Sequence, residues 1–100
     1  MTTQTDDIPE LDAASFARAL PRSQRLHMIR GEFRTGADIG RLRDFVGMTQ
    51  VEFATALGIS VRTLQGWEQG RRRPEGPALA LLRIAARHPR IIRESLASAA

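Results

Sequence analysis

The 100-residue sequence contains no cysteine, no tyrosine and no lysine. Without cysteine the chain has no disulfide and no thiolate metal site. With only 5% aromatic residues and many alanines, it favours an all-α fold, a small helical bundle, over a sheet. No apolar run approaches the roughly 20 residues of a membrane-spanning helix, and the acidic N-terminus carries no recognisable signal peptide. We therefore expect one small cytoplasmic domain.

Residue patterns for catalysis or metal binding are also missing. His27 and His88 are lone histidines, and no acidic pair stands at metal-ligand spacing. The serines lack the context of a catalytic nucleophile, and no glycine-rich phosphate loop follows a strand. We therefore expect a protein that is not an enzyme and that carries no metal or cofactor.

Charge is distributed unevenly along the chain. Asp6, Asp7, Glu10 and Asp12 make the first twelve residues acidic, without a single base. Subtracting these four from eleven acids leaves seven against fifteen arginines, so the remainder carries a net charge of about +8. Such a body favours a polyanion, because phosphate contacts release counterions. A solvated basic surface is the other interpretation of the same charge.

Residues 48–74 predict two short helices joined by a glycine turn. Thr49 and Glu52 have the spacing of a capping box, which starts the first helix. Gly58 can take the left-handed conformation that ends it. Ser60 is a good N-cap for the second helix.

The second helix has an inward face and a polar outward face. Leu64 and Trp67 are its inward positions. The outward positions are Val61, Arg62, Thr63, Gln65, Gly66 and Gln69. With almost no negative charge before Glu68, this face suits phosphates and base edges.

The same stretch carries a family pattern. Its residues are Gln50, Ala54, Gly58, Ile59, Leu64, Trp67-Glu68-x-Gly70 and Pro74. They resemble the helix-turn-helix of the lambda-repressor/Cro (XRE) family, and the similarity covers roughly residues 38–84. The resemblance implies that the second helix lies in the major groove of double-stranded operator DNA and that a homodimer reads two half-sites.

A narrower resemblance extends beyond the helix-turn-helix. Residues 61–72, then Gly76-Pro77-Ala78 and residues 81–84, are most similar to HigA-type antitoxins of toxin–antitoxin operons. The resemblance implies a repressor of its own operon that sequesters an mRNA-cleaving toxin of the RelE/HigB type. A stand-alone XRE-type regulator with no toxin is the alternative, and the product of the neighbouring gene would separate the two.

The resemblance also assigns two anchoring residues. Arg43 sits where an arginine pairs with the glutamate of the Trp-Glu-x-Gly segment, here Glu68, and such a pair would orient Arg43 toward a phosphate. A simply exposed arginine is the alternative. Gln50 matches the family's phosphate-anchoring glutamine, at a helix N-terminus that favours an anion.

Arg62 and Gln65 are the best candidates for base contacts, because arginine reads guanine and glutamine reads adenine. Val61 can meet a thymine methyl group, Arg71 to Arg73 can add sequence-independent backbone attraction, and Thr63 and Gln69 suit bases or phosphates. The expected DNA-binding residues are Arg43, Gln50, Ser60, Val61, Arg62, Thr63, Gln65, Gln69, Arg71 and Arg72.

Gly66 departs from the family pattern, which often has a longer side chain there. Glycine costs this helix about 1 kcal/mol relative to alanine. It either permits close approach of the backbone to DNA or leaves specificity to fewer side chains.

The regions flanking the helix-turn-helix complete the expected organisation. Residues 1–36 predict an acidic, weakly structured arm that packs on the body of the protein or on the toxin. Residues 37–100 predict the DNA-binding domain with C-terminal dimerisation helices, because apolar residues occupy more than one helix face. The expected dimer interface comprises Leu81, Ile84, Ile91, Ile92 and Leu96. Alternatively, the last helix closes the core of one subunit.

Overall fold

The structure, a computed structural model, describes residues 19–99, which form six α-helices and no strand. These are α1 (Arg22–Ile29), α2 (Gly36–Val46), α3 (Gln50–Leu57), α4 (Val61–Glu68), α5 (Pro77–Arg87) and α6 (Pro89–Ala99). The predicted all-α bundle with a helix-turn-helix is confirmed. In this part of the chain, none of the helices combines the length and apolar character needed to cross a membrane.

Local sequence signals explain where α3 begins and ends. The Thr49 hydroxyl accepts a hydrogen bond from the Glu52 backbone N–H at 3.1 Å, and the Glu52 carboxylate accepts one from the Thr49 N–H at 2.9 Å. This reciprocal pair is the predicted capping box. Gly58 ends α3 with φ = 74°, a left-handed conformation in which a side chain would be strained.

The core lies where α2 to α6 meet. Leu42, Phe53, Leu64 and Leu82 come from four different helices, and each has no exposed surface. Trp67 is 5% exposed and packs in the same cluster, which fixes α4 against the rest of the bundle. Burial of such side chains contributes roughly 1.5–3 kcal/mol each, which short helices need because they are marginal in isolation.

Helix α1 packs on the body of the protein, one of the two surfaces considered for this segment. Met28 is 1% exposed, and the Arg25 Nε donates to the Ala86 carbonyl at 2.8 Å. In return, the Arg83 Nε donates to the Ile29 carbonyl at 2.9 Å. These bonds satisfy carbonyls that helix ends leave free. The division of the chain at residue 36 stays a prediction, and residues 1–18 of the predicted arm lie outside the described residues.

Helix α6 closes the core of a single subunit. Ile92 is 4% exposed, and the Arg93 Nη1 donates to the Val46 carbonyl at 3.0 Å. Ile92 therefore lies in the core and has almost no side-chain surface left for the predicted dimer interface, which itself stays a prediction. Ile84 and Ile91 remain 41% and 51% exposed, and Leu81 and Leu96 are partly exposed.

Candidate nucleic-acid interface

The turn between α3 and α4 fixes the start of the exposed helix α4. The Ser60 hydroxyl accepts a hydrogen bond from the Thr63 N–H at 3.0 Å, and the two hydroxyls lie 2.9 Å apart. The Ile59 N–H donates to the Ala54 carbonyl at 3.0 Å, which ties the turn to α3. The Ser60 hydroxyl therefore caps the helix, as its position predicts.

A bidentate ion pair joins α2 to the end of α4. The Arg43 Nε donates to the Glu68 Oε2 at 2.8 Å, and the Arg43 Nη2 donates to the Glu68 Oε1 at 3.1 Å. The Arg43 Nη1 also donates to the Met48 carbonyl at 3.1 Å. The two side chains are only 19% and 12% exposed, and the hydrogen bonds with Glu68 raise the pKa of Arg43. The predicted pair is thus confirmed, and it locks α4 to the α2–α3 corner.

Two glutamines extend this pair onto the surface of α4. The Gln50 Nε2 donates to the Glu68 Oε1 at 3.1 Å, and the Gln65 Nε2 donates to the Gln50 Oε1 at 3.3 Å. A carboxylate only accepts hydrogen bonds, so Gln50 must turn its amino group to Glu68 and its carbonyl to Gln65. Gln65 then keeps its carbonyl oxygen and a second N–H, which is the acceptor–donor pair that adenine requires.

This chain of hydrogen bonds is not predictable from helical periodicity. The sequence alone assigns Gln50 to a phosphate and Gln65 to a base and does not connect them. The positions of the residues could have indicated this contact. Gln50 is the first residue of α3, and Gln65 lies about one turn before Glu68 in α4. Side chains at the crossing of two packed helices are close enough to meet.

A glycine turn folds the basic loop back over the end of α4. Gly70 has φ = 78°, and its N–H donates to the Trp67 carbonyl at 3.1 Å. The Arg71 N–H then donates to the Gly66 carbonyl at 2.9 Å. These bonds satisfy the last carbonyls of the helix in the pattern of a glycine C-cap. The loop arginines are consequently held beside the helix.

The loop and the helix enclose a basic cleft of about 370 Å³. Its lining consists of Arg62, Thr63, Gly66, Arg71 and Arg72, a group that we call the arginine cleft. None of these residues is acidic, so the cleft presents positive charge and hydrogen-bond donors. This arrangement suits a phosphate or the acceptor edge of a guanine.

The structure brings most of the predicted DNA-binding residues onto one surface. Arg62 and Arg71 are exposed, and Val61, Thr63 and Gln65 are half-buried along α4. Gln69 does not line the arginine cleft; it lines a neighbouring groove with Phe33 and Arg73, and Arg72 borders both. Within residues 19–99, no three histidine, aspartate or glutamate side chains come together as a metal site.

Comparisons with known proteins agree with this geometry. Residues 39–84 match the family model described as Helix-turn-helix. The chain is 43% identical over 60 residues to Antitoxin HigA-2 of Vibrio cholerae serotype O1, an alignment that covers 59% of this chain. The chain spans 58% of the length of that relative. No solved structure matches the chain significantly.

Proposed function

We propose that this protein represses transcription by sequence-specific DNA binding, because residues 39–84 match the Helix-turn-helix family model. We further propose that it is the antitoxin of a type II toxin–antitoxin pair. The observation that carries the DNA-binding proposal is the hydrogen-bonded chain from Arg43 through Glu68 and Gln50 to Gln65. It holds a base-reading amide in a fixed orientation before any DNA arrives.

Preorganisation matters because an exposed glutamine side chain has many rotamers. Ordering such a side chain on binding costs about 0.5–1.5 kcal/mol. Gln65 has already lost part of this freedom through its bond to Gln50. The arginine cleft lies on the same helix and supplies the charge that attracts the DNA backbone. Such a regulator acts in the cytoplasm, where the operator DNA lies.

The repressor is proposed to act as a homodimer. A two-fold pair of recognition helices reads half-sites about one helical turn of DNA apart. Ile84 and Ile91 leave apolar surface exposed on α5 and α6, and Leu81 and Leu96 add to it. These four residues are the proposed interface.

The DNA-binding proposal is tested by selection of preferred sequences from a pool of randomised duplexes. We expect a motif of two related half-sites with centres about 10 base pairs apart. Affinity for the motif should fall with salt, since arginines displace counterions from the phosphates. Recovery of no enriched sequence would contradict the proposal.

The antitoxin proposal rests on the similarity to Antitoxin HigA-2. The partner would be an mRNA-cleaving toxin of the RelE/HigB type, held at least in part by the acidic N-terminal arm. Co-expression with the product of the adjacent gene, followed by a growth assay and co-purification, tests this. Rescue of growth together with a stable complex is expected. A non-toxic neighbour that does not co-purify would leave a stand-alone XRE-type regulator.

A further inference from the structure

The recognition helix α4 lacks a side chain at Gly66, a position that the sequence predicts on its outward face but that is buried in the structure. Gly66 lies four residues after Arg62, so the two positions are neighbours on the same side of the helix. A base-reading helix would be expected to carry a long side chain there. The gap is nevertheless filled from outside the helix.

The side chain of Arg72 covers the bare surface of Gly66. A Cβ atom placed on Gly66 would lie 3.5 Å from the Arg72 Cδ and 3.6 Å from its Cγ, which is ordinary van der Waals contact. The Arg72 N–H also donates to the Gly66 carbonyl at 3.2 Å. Backbone and side chain together therefore fix where the stem of Arg72 begins and over which residue it runs.

No group among residues 19–99 occupies the guanidinium of Arg72, so these residues leave it available for a ligand. Within that range it takes part in no hydrogen bond or ion pair, whereas Arg25, Arg43, Arg83 and Arg93 are all bonded to backbone carbonyls or carboxylates. Arg72 also shares the arginine cleft with Arg62. With Arg71, three cations line this cleft and repel each other, and a shared electronegative ligand removes that cost.

We propose that Arg72 acts as a base-reading residue, supplying from the loop the contact that the recognition helix lacks at Gly66. The proposal rests on the proposed DNA-binding function. The chemistry of a guanidinium fork selects the O6 and N7 atoms of a guanine in the major groove. That guanine is adjacent to the base contacted by Arg62, because both side chains line the same cleft. In this role Arg72 reads a base, whereas a loop arginine that only attracts phosphates carries no sequence information.

The test repeats the selection from randomised duplexes with Arg72→Lys and with the matched control Arg73→Lys. Lysine keeps the positive charge but loses the bidentate fork. With Arg72→Lys we expect a roughly 5- to 150-fold loss of preference for guanine at one position in each half-site. Arg73 shares a neighbouring groove with Arg72 but does not line the arginine cleft, so Arg73→Lys should leave the motif unchanged.

Substitution at Gly66 provides a second and independent route. Gly66→Ala fits beneath Arg72 and should keep the motif, whereas Gly66→Leu needs the space of the Arg72 stem and should lose the same guanine. Adding Arg72→Lys to Gly66→Leu should then change the motif no further. Circular dichroism confirms that each variant is folded.

The outcomes separate this inference from the function on which it rests. An unchanged motif for Arg72→Lys, with at most a uniform loss of affinity, would make Arg72 a phosphate contact and overturn the inference alone. Failure of the wild-type protein to enrich any sequence would overturn both the inference and the proposed DNA-binding function.

Discussion

Replacing Gly36 with alanine should destabilise the fold at the contact between α2 and the recognition helix. A Cβ atom on Gly36 would lie 2.4 Å from the Glu68 carbonyl oxygen and 2.5 Å from that of Trp67. These oxygens belong to the backbone at the end of α4, so no side-chain rotation can make room. One of the two helices must move.

The expected cost follows from the nature of the contact. Forcing an extra methyl group into a packed site costs about 1–3 kcal/mol of folding stability. Because the obstructing atoms at Gly36 belong to the backbone, we expect Gly36→Ala to cost about 3 kcal/mol, the upper end of that range. For a domain of this size, that lowers the melting temperature by roughly 12–24 °C. Thermal and urea unfolding, followed by circular dichroism, measure both quantities.

Gly40 on the same helix provides the matched control. A Cβ atom there would lie 3.5 Å from the Glu68 Oε1, an ordinary contact. Removing a glycine from a helix interior gains about 0.5–1 kcal/mol, so Gly40→Ala should stabilise the protein. The reasoning would be refuted by a Gly36→Ala variant as stable as the wild type, or by equal destabilisation from both substitutions.

Three further predictions concern the interface and the assembly. Arg62→Ala should weaken binding to the preferred sequence by about 1–3 kcal/mol while leaving the proposed dimer intact, and an unchanged base preference would exclude Arg62 from base reading. Glu68→Gln leaves the Arg43 charge without its partner and should lower the free energy of unfolding by about 2–3 kcal/mol, a smaller loss than breaking a fully buried ion pair causes. A free energy of unfolding in urea within about 0.5 kcal/mol of the wild-type value would contradict this. Ile91→Glu should convert the proposed dimer into a folded monomer in sedimentation equilibrium, and an unchanged mass would exclude Ile91 from the proposed interface.

Local signals made much of the architecture predictable from the sequence. The capping box of Thr49 and Glu52 and the left-handed Gly58 depend only on residues within a few positions of each other. Arg43 and Glu68 are 25 residues apart, and only the resemblance to the XRE family connected them. A family pattern thus supplied a long-range contact that helical periodicity could not.

Contacts between elements account for what the sequence could not predict. Periodicity identified Ile92 as apolar but gave no means to choose between the core of one subunit and a second subunit. The close approach at Gly36 depends on how two helices cross. Gly66 looked like a gap in the recognition helix, because the side chain that fills it comes from Arg72 in the following loop.

The N-terminal arm is a second case in which contacts between elements could not be predicted from the sequence. Residues 22–29 have a weak helical pattern, and the surface on which they pack, formed by α5, lies more than fifty residues away in the sequence. Helix α1 and its hydrogen bonds to α5 lie within residues 19–99, so a truncation can remove residues 1–18 and keep the residues that form them. That truncation therefore tests the proposed toxin-binding role of the acidic segment without removing α1.

The most direct test of the central claim is an equilibrium titration by fluorescence anisotropy. The protein is titrated against the duplex upstream of its own gene and against a shuffled duplex of the same length and composition, at physiological salt. Anchored base-reading side chains predict about 10³-fold or greater preference for the upstream duplex. Equal affinity for the two duplexes, with the same salt dependence, would contradict sequence recognition by α4 and leave only a basic protein that attracts phosphates.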